Sequence, residues 1–515
     1  MSLRIVLNAL LLAAFVAPAP EAALAMAPPA ERVDIRDRVR LRADVDAFVA
    51  RALTRVEAVS GLAIAVADGE GTVLTAGYGF ADVENRVPAT AQTRFYIASA
   101  TKSFTALAIA AMARRGELDL DAPLSSWSPD SGVPANIAGG ITLTDLLSHR
   151  SGVDNDAIAH RVAFTGDWTP DLLWRLTDQT APSAGSAQGA FNYTNGGYNL
   201  ATVLLEHRFQ RDWRRMDEEE VLRPLGMIHT TALIDRARSE APGVAVAYLG
   251  LEAGRPVRAW LQKTDATMQS AGGLVSSADD MALWLQAQIN DGVVDGRRVL
   301  PPGLVASTHD PKVAQEATFG PYVRTGYGLG WQIGRYRDDT LLHHFGNFAG
   351  SRAHVSFMPE RRLGVAVMVN EDAFAGDLAD VVANYVYDWF AGRPGLEAAY
   401  EARLDELVAT RDRRRQGYAA SVASRAARPR TLSLPNAAYV GSYESPVLGH
   451  MRVREAGAAL EISIGVQRAV AGNFTQPESV RVELTPLSGE SVVFDMDQAG
   501  RPIALVYAGQ RFIRQ

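Results

Sequence analysis

The chain has 515 residues, 47% hydrophobic and 21% charged, which is ordinary globular material and excludes a disordered or fibrous chain. Lys and Arg total 51 against 58 Asp and Glu, a net charge of -7, so the basic surface that nucleic acid would need as a main partner is missing. With no cysteine, disulfides, thiol nucleophiles, Cys-ligated zinc, iron–sulfur clusters and lipid-anchoring cysteines are all excluded.

Residues 1–25 read as a signal peptide. Arg4 gives the positive start, the run 5–16 is apolar except for Asn8, and Ala23-Leu24-Ala25 fits a small-x-small cleavage site. The run falls short of the ~20 apolar residues of a membrane span, so an exported protein, periplasmic or secreted, is expected. Val45, Phe48, Val49, Leu53 and Val56 at helical spacing predict a helix over 43–57. Extended runs at 61–68 and 72–78 around Gly69-Glu70-Gly71 predict a β-hairpin. Residues 99–115 predict a largely buried helix, and 120–320 a helical, loop-rich insert. Strands are expected at 327–333, 341–345, 353–358 and 364–370, and a helix at 373–391. Strands from both ends of one segment imply a single sheet, which predicts one mixed-sheet α/β domain over 40–395. Residues 396–430, with Arg411-Asp412-Arg413-Arg414-Arg415, read as a solvated helical linker. Residues 431–515 carry short alternating strands punctuated by glycine and read as a small β-barrel or sandwich.

The chemistry starts from Lys102. Only three lysines occur, Lys102, Lys263 and Lys312, against 48 arginines. Arginine keeps its proton near neutral pH, whereas a lysine in a suitable environment gives it up. A chain that uses arginine almost everywhere and lysine here has reason to need a titratable amine. Ser99 lies three residues earlier, on the same helix face, ~5–6 Å away between Cβ atoms. A hydroxyl and an amine so placed form a Ser-x-x-Lys nucleophile pair, and the helix N-terminus favours a developing oxyanion. The apolar flanks, Phe95 to Ala98 and Phe104 to Met112, predict that Lys102 is buried. Tyr193-Thr194-Asn195 adds a phenol able to move a proton and an amide able to hold a substrate carbonyl. His344-Phe345-Gly346-Asn347 ends a predicted strand. Gly346 allows close backbone approach, so the Asn347 N–H can sit beside the substrate carbonyl. His343 reads as a structural histidine.

Taken in order, Ser99/Lys102, Tyr193/Asn195 and His344/Gly346 resemble the Ser-x-x-Lys, Tyr-x-Asn and His-x-Gly motifs of the beta-lactamase-related serine hydrolases. That family includes class C β-lactamases, D-alanyl-D-alanine carboxypeptidases, D-aminopeptidases and esterases. The segments 146–152, 224–227, 271–276 and 326–331 are similar too, and the resemblance spans about 45–395. The tail resembles the lipocalin-like β-domain of some members through Tyr439-Val440-Gly441-Ser442-Tyr443. The resemblance implies an antiparallel sheet flanked by helices with a helical subdomain, followed by an all-β barrel. It implies an acyl-enzyme on Ser99, with Lys102 and Tyr193 handling its proton and the Ser99 and Asn347 N–H groups stabilising the oxyanion. Asn195 and His344 would orient the substrate, with no cofactor and no metal. His344 replaces the lysine of the Lys-Thr-Gly found in many β-lactamases. A peptidase or esterase acting on a small or peptide substrate is therefore expected ahead of a β-lactamase or a penicillin-binding sensor that acylates without efficient turnover.

Overall fold

The computed structural model describes residues 35–515, so the expected signal peptide lies outside the described residues. Helix α1 (Ile35–Val56) leads into the hairpin β1 (Gly61–Asp68) and β2 (Gly71–Asp82), with the short strand β3 (Val87–Pro88) at its edge. Helix α2 (Thr101–Arg114), helix α3 (Gly196–Phe209) and several short helices form the insert, which ends in α4 (Ala278–Ile289). Six strands follow: β4 (Val313–Phe319), β5 (Tyr322–Tyr327), β6 (Gln332–Tyr336), β7 (Asp339–Phe348), β8 (Ser351–Met358) and β9 (Leu363–Val369). They join the opening hairpin in one nine-stranded sheet of order β4-β5-β6-β7-β8-β9-β1-β2-β3. Every adjacent pair in it is antiparallel, as the family resemblance implied, and the mixed sheet expected from the strand pattern alone is corrected.

The central strands are buried on both faces, and residue size sorts the two sides. Leu62, Ile64 and Val66 join Val365, Val367 and Val369 in a cluster with Phe48 of α1 and Leu378 and Tyr385 of the following helix, α5 (Leu378–Phe390). The intervening Ala63, Ala65 and Ala67 join Ala366, Met368 and Val355 against Phe104 of α2 and Trp284 and Leu285 of α4. Small residues on that face let α4 lie close to the sheet, and Phe104 of α2 stacks on Trp284 of α4 at 3.8 Å. The insert has its own core, built on Leu143, Leu146, Tyr198 and Leu204.

Three expectations need correction. The run 327–333 is mostly a turn, which joins the end of β5 at Tyr327 to the start of β6 at Gln332. Gly330 has φ +81, and a Cβ there would lie 2.5 Å from the Ser103 Cα, so the chain turns where it meets the back of α2. The helix predicted from 373 begins at Leu378, because Glu371 takes the N–H groups of Ala373, Phe374 and Ala375 in a turn. The expected solvated linker is the helix α6 (Leu396–Ala426), and its first half is packed, with Tyr400, Leu404 and Leu407 buried against α1 and α5. Its arginine run binds carbonyls. Arg411 donates to the Arg55 and Val56 carbonyls at the open end of α1, Arg414 to that of Phe374 and Arg415 to that of Gly250.

Beyond α6, strands β10 (Gly441–Ser445), β11 (Gly449–Ala456), β12 (Ala459–Ile464), β13 (Gln467–Val470), β14 (Gly472–Asn473), β15 (Ser479–Val482), β16 (Glu490–Met496), β17 (Pro502–Tyr507) and β18 (Gln510–Arg514) form a second antiparallel sheet. Its order is β13-β12-β11-β10-β18-β17-β16-β15-β14. The two edge strands, β13 and β14, are consecutive in the chain, so the sheet curls into a nearly closed barrel. The barrel is filled by Tyr443, Met451, Ile462, Val482, Phe494, Leu505 and Phe512. It touches the insert where Arg161 donates to the Val447 carbonyl and the Val466 N–H donates to Thr165 O.

The packed character of α6 is testable. Leu404→Ala should lower unfolding stability by about 2–5 kcal/mol, whereas Arg403→Ala, one residue away and exposed, should stay within about 0.5 kcal/mol. Equal, small effects in denaturant unfolding would mean that the helix is solvated after all.

Candidate active site

Ser99 sits in a single 3-10 turn, Ala98–Ala100, that feeds directly into α2. Ala98 has φ +44, a left-handed conformation that costs a non-glycine residue about 1–3 kcal/mol. Ser99 is half-buried there, between the buried Ala98 and Ala100. Three residues on, Lys102 is fully buried, and its Nζ donates to Ser99 Oγ at 3.3 Å, Asn195 Oδ1 at 2.7 Å and the Ala271 carbonyl at 2.7 Å. All three partners are neutral. Burial therefore pushes the amine well below its ordinary 10.5.

Tyr193 and Asn195 reach the same point from the loop ahead of α3. The Tyr193 ring lies 5.0 Å from Lys102 Nζ, and its hydroxyl end is near enough to Ser99 for that serine to lower its pKa. Although 41% of the residue is exposed, desolvation pushes its hydroxyl up to about 12 against the lowering effects of Ser99 and the Arg324 charge. The phenol is thus held protonated rather than as a preformed phenolate.

His344 comes from β7, beyond the residues that pair with β6, on a stretch whose β6-side edge is unpaired. Its Nδ1 faces the Phe345 carbonyl at 3.0 Å and its Nε2 the Tyr327 hydroxyl at 3.2 Å. The carbonyl only accepts, so Nδ1 carries the proton and Nε2 accepts from Tyr327. Burial, helped by the Lys102 charge, lowers His344 to about 3, so it is a neutral ring. Gly346 lets β7 press on the serine turn, because a Cβ there would stand 1.9 Å from the Ile97 carbonyl oxygen. Asn347, next in the strand, is exposed. His343 lies on the other face of β7, stacked on Phe345 at 4.3 Å and accepting from Arg324 Nε at 3.4 Å. Among the described residues no group of His, Asp or Glu side chains is placed to hold a metal ion.

A model of the Beta-lactamase family matches residues 45–386, which takes in Ser99, Lys102, Tyr193, Asn195 and His344. The chain belongs to the beta-lactamase family. Among curated relatives, this beta-lactamase-family chain is 26% identical over 431 residues to the unguisins hydrolase ungD' of Aspergillus campestris, covering 77% of this chain and 74% of that protein. It is 25% identical over 324 residues to protein flp of Staphylococcus aureus, covering 61% and 60% of the two chains. Two solved structures share the fold. The octameric penicillin-binding protein homologue from Pyrococcus abyssi matches with TM-score 0.57 at 20% identity, over 92% of this chain and all (100%) of that one. The D-amino acid amidase from Ochrobactrum anthropi SV3 matches with TM-score 0.54 at 24% identity, over 71% of this chain and 99% of that one.

Several residues of the site were not singled out in the sequence. Tyr327 orients His344, the Ala271 carbonyl holds Lys102, and His149 packs at 4.4 Å on the Tyr193 ring. All three fall in segments noted only as strings shared with the family, and the strings themselves were the available signal. One arrangement elsewhere imitates a catalytic triad. His354 Nε2 meets Ser356 Oγ at 2.7 Å, and its Nδ1 meets Asp380 at 2.8 Å. Ser356 and His354 have no exposed surface, Ser356 Oγ is also held by Tyr387, and Asp380 is paired with Arg352, so no substrate reaches that serine.

The close approach of β7 to the serine turn gives a direct test. Gly346→Ala forces the strand away from Ile97, and labelling of Ser99 by a reactive aryl ester should fall at least about a hundredfold. A folded variant labelled at the parent rate would show that the contact is not needed.

Proposed function

We propose that this chain hydrolyses amide or ester bonds through an acyl-enzyme on Ser99. The observation that carries the reading is the fully buried Lys102 amine, set between Ser99 and Asn195 with no carboxylate among its hydrogen-bond partners. A structural cation at such a depth would be paired. An amine lacking a counter-charge and pushed down in pKa is suited to accept a proton.

The opposite shifts of Lys102 and Tyr193 support a division of labour. Lys102 takes the Ser99 hydroxyl proton as Oγ attacks the substrate carbonyl. The Ser99 and Asn347 N–H groups then stabilise the oxyanion, about 3–4 kcal/mol per donor in comparable sites. Tyr193, still protonated, gives its proton to the leaving nitrogen or oxygen and is reprotonated from Lys102. The C–N or C–O bond breaks and leaves the acyl group on Ser99, and a water attacks by the reverse of the same proton path. Asn195 spends its amide oxygen on Lys102, which leaves its amide nitrogen for a substrate carbonyl.

The neutral His344 supports a peptidase or esterase ahead of a β-lactamase, since it supplies no fixed cation for a substrate carboxylate. The hydrolase named for unguisins among the relatives agrees with amide or ester hydrolysis in general terms. A chromogenic cephalosporin, a short-chain aryl ester and L- and D-amino-acid anilides would separate the possibilities. Turnover of an ester or anilide, lost in Ser99→Ala, is expected; turnover of the cephalosporin alone would reverse the preference. We further place the chain outside the cytoplasm, on the strength of its first 25 residues.

Two further outcomes test the roles. Lys102→Arg keeps the charge but not the titration, so acylation should drop about 10²–10⁴-fold in a folded protein. A rate within about threefold of the parent would remove Lys102 from the proton path. The unprotonated amine is the active form, so kcat/KM should rise with pH through a Lys102 pKa lying well below 10.5. It should then stay level until Tyr193 ionises near its pKa of about 12. A rate that falls with rising pH across neutrality would contradict this assignment.

A further inference from the structure

The segment 146–152 takes no part in the chemistry above, yet its histidine touches the loop that carries Tyr193 at three points. The Asn192 N–H donates to the His149 carbonyl at 2.8 Å. The Thr194 N–H donates to His149 Nδ1 at 3.3 Å. The imidazole itself lies 4.4 Å from the Tyr193 ring. The two peptide N–H groups on either side of Tyr193 thus both end on one residue. We propose that His149 is the positioning residue of Tyr193, clamping its backbone from both sides and backing its ring so that the hydroxyl stays against Ser99. The proposal rests on Tyr193 being the proton donor of the reaction described above.

Residue choice at this position supports a positioning role. His149 is 1% exposed and has φ +60, a conformation in which glycine or asparagine is easiest to accommodate. Glycine would offer neither ring nor acceptor, asparagine an acceptor without a ring, and phenylalanine a ring without an acceptor. Histidine supplies both, at the cost of backbone strain. It also leaves Nε2 buried with no partner. Since Nδ1 accepts a backbone N–H, the neutral ring must carry its proton on that Nε2. Burial, reinforced by the neighbouring Lys102, keeps the ring from gaining a second proton, which would abolish the Nδ1 acceptor. Tyr327 at 4.8 Å and Tyr198 at 5.4 Å close the box around it. If His149 merely filled that aromatic box, phenylalanine would serve as well or better, because it brings no unpartnered polar atom.

The contrast between stability and activity makes the test, on the full chain. His149→Phe should melt no lower than the parent yet acylate Ser99 about ten- to a hundredfold more slowly, with substrate KM little changed. His149→Asn, which keeps an acceptor where Nδ1 stood, should recover part of that loss. In a Tyr193→Phe background, His149→Phe should cost almost nothing more, because the group it positions is gone. A His149→Phe enzyme acylating at the parent rate, or one equally impaired with and without the Tyr193 hydroxyl, overturns the proposal. Should His149→Phe fail to fold, His149→Gln carries its acceptor out at the Nε2 position and should be slower than His149→Asn; the opposite order overturns the proposal. Ser99→Ala is measured alongside. If it still turns over substrate, the serine mechanism fails and this inference with it, whereas a dead Ser99→Ala with a fully active His149→Phe refutes the positioning role alone.

Discussion

A single buried amine organises the functional half of the molecule. Taking an ammonium out of water costs several kcal/mol unless a counter-ion is buried with it, and around Lys102 the ligands are a hydroxyl, an amide oxygen and a backbone carbonyl. Those ligands come from the serine turn, the loop before α3 and the segment ahead of α4, so holding one side chain requires three distant parts of the chain to converge. The cost is kept bearable by letting the proton go, which is the property a base needs. The same logic reaches the neighbours: burial keeps His149 and His344 neutral, with Lys102 adding to it whenever the amine is protonated, and burial holds Tyr193 protonated. Burial therefore sets the protonation states across the site, and Lys102 adds to its effect at the two histidines.

Such a site needs a rigid wall, and the sheet supplies it. Strand β7 is paired with β6 only up to His343, so the stretch carrying His344 to Asn347 presents an unpaired edge on its β6 side beside the serine. The alanine face of β1 and β9 brings α4 in close, α2 stacks on α4 through Phe104, and Gly330 and Gly346 bring backbone against backbone at α2 and at the serine turn. A methyl group at either glycine would have no room. The helices on the opposite face, α1, α5 and α6, do not touch the chemistry, yet they bury the large side of the same strands and so fix where β7 can lie. The ion pairs of Arg51 and Arg55 with Glu401 and their neighbours on α6 are exposed and add little beside that apolar packing.

The residues that meet at the site were more legible in the sequence than the packing around them. Lys102 announced itself through the near absence of other lysines, Ser99 through its spacing to Lys102, and Tyr193, Asn195 and His344 through a motif order that resembles the family's; the structure brings all of them together. Period-two and helical patterns also located the hairpin, α1 and the strands of the barrel, because those elements sort their residues by face. What escaped depends on tertiary contact. The break between β5 and β6 is made by the back of α2 pressing on Gly330, and an apolar run carries no sign of that. The arginine run of α6 looks solvated by composition, although Arg411, Arg414 and Arg415 spend their guanidinium groups on carbonyls far away in sequence. His149 was in view but not distinguished, since its partners are backbone N–H groups that no side-chain pattern encodes.

The same reasoning separates what the family supplies from what belongs to this chain. Membership fixes the frame in which a serine, a lysine and a tyrosine can meet, and relatives at about a quarter identity share that frame over most of their length. It does not fix the third wall. A lysine at position 344 would add a second positive charge beside Lys102, drive that amine further towards its neutral form and attract an anionic substrate. The neutral His344 does neither. Its ring is spoken for at both nitrogens, by the Phe345 carbonyl and the Tyr327 hydroxyl, so it works as a shaped, uncharged surface. The low pKa of Lys102 must then come from burial, with little help from charge repulsion. Selectivity would follow the shape of the substrate and its hydrogen bonding to Asn195 and the β7 edge, and net charge would count for less.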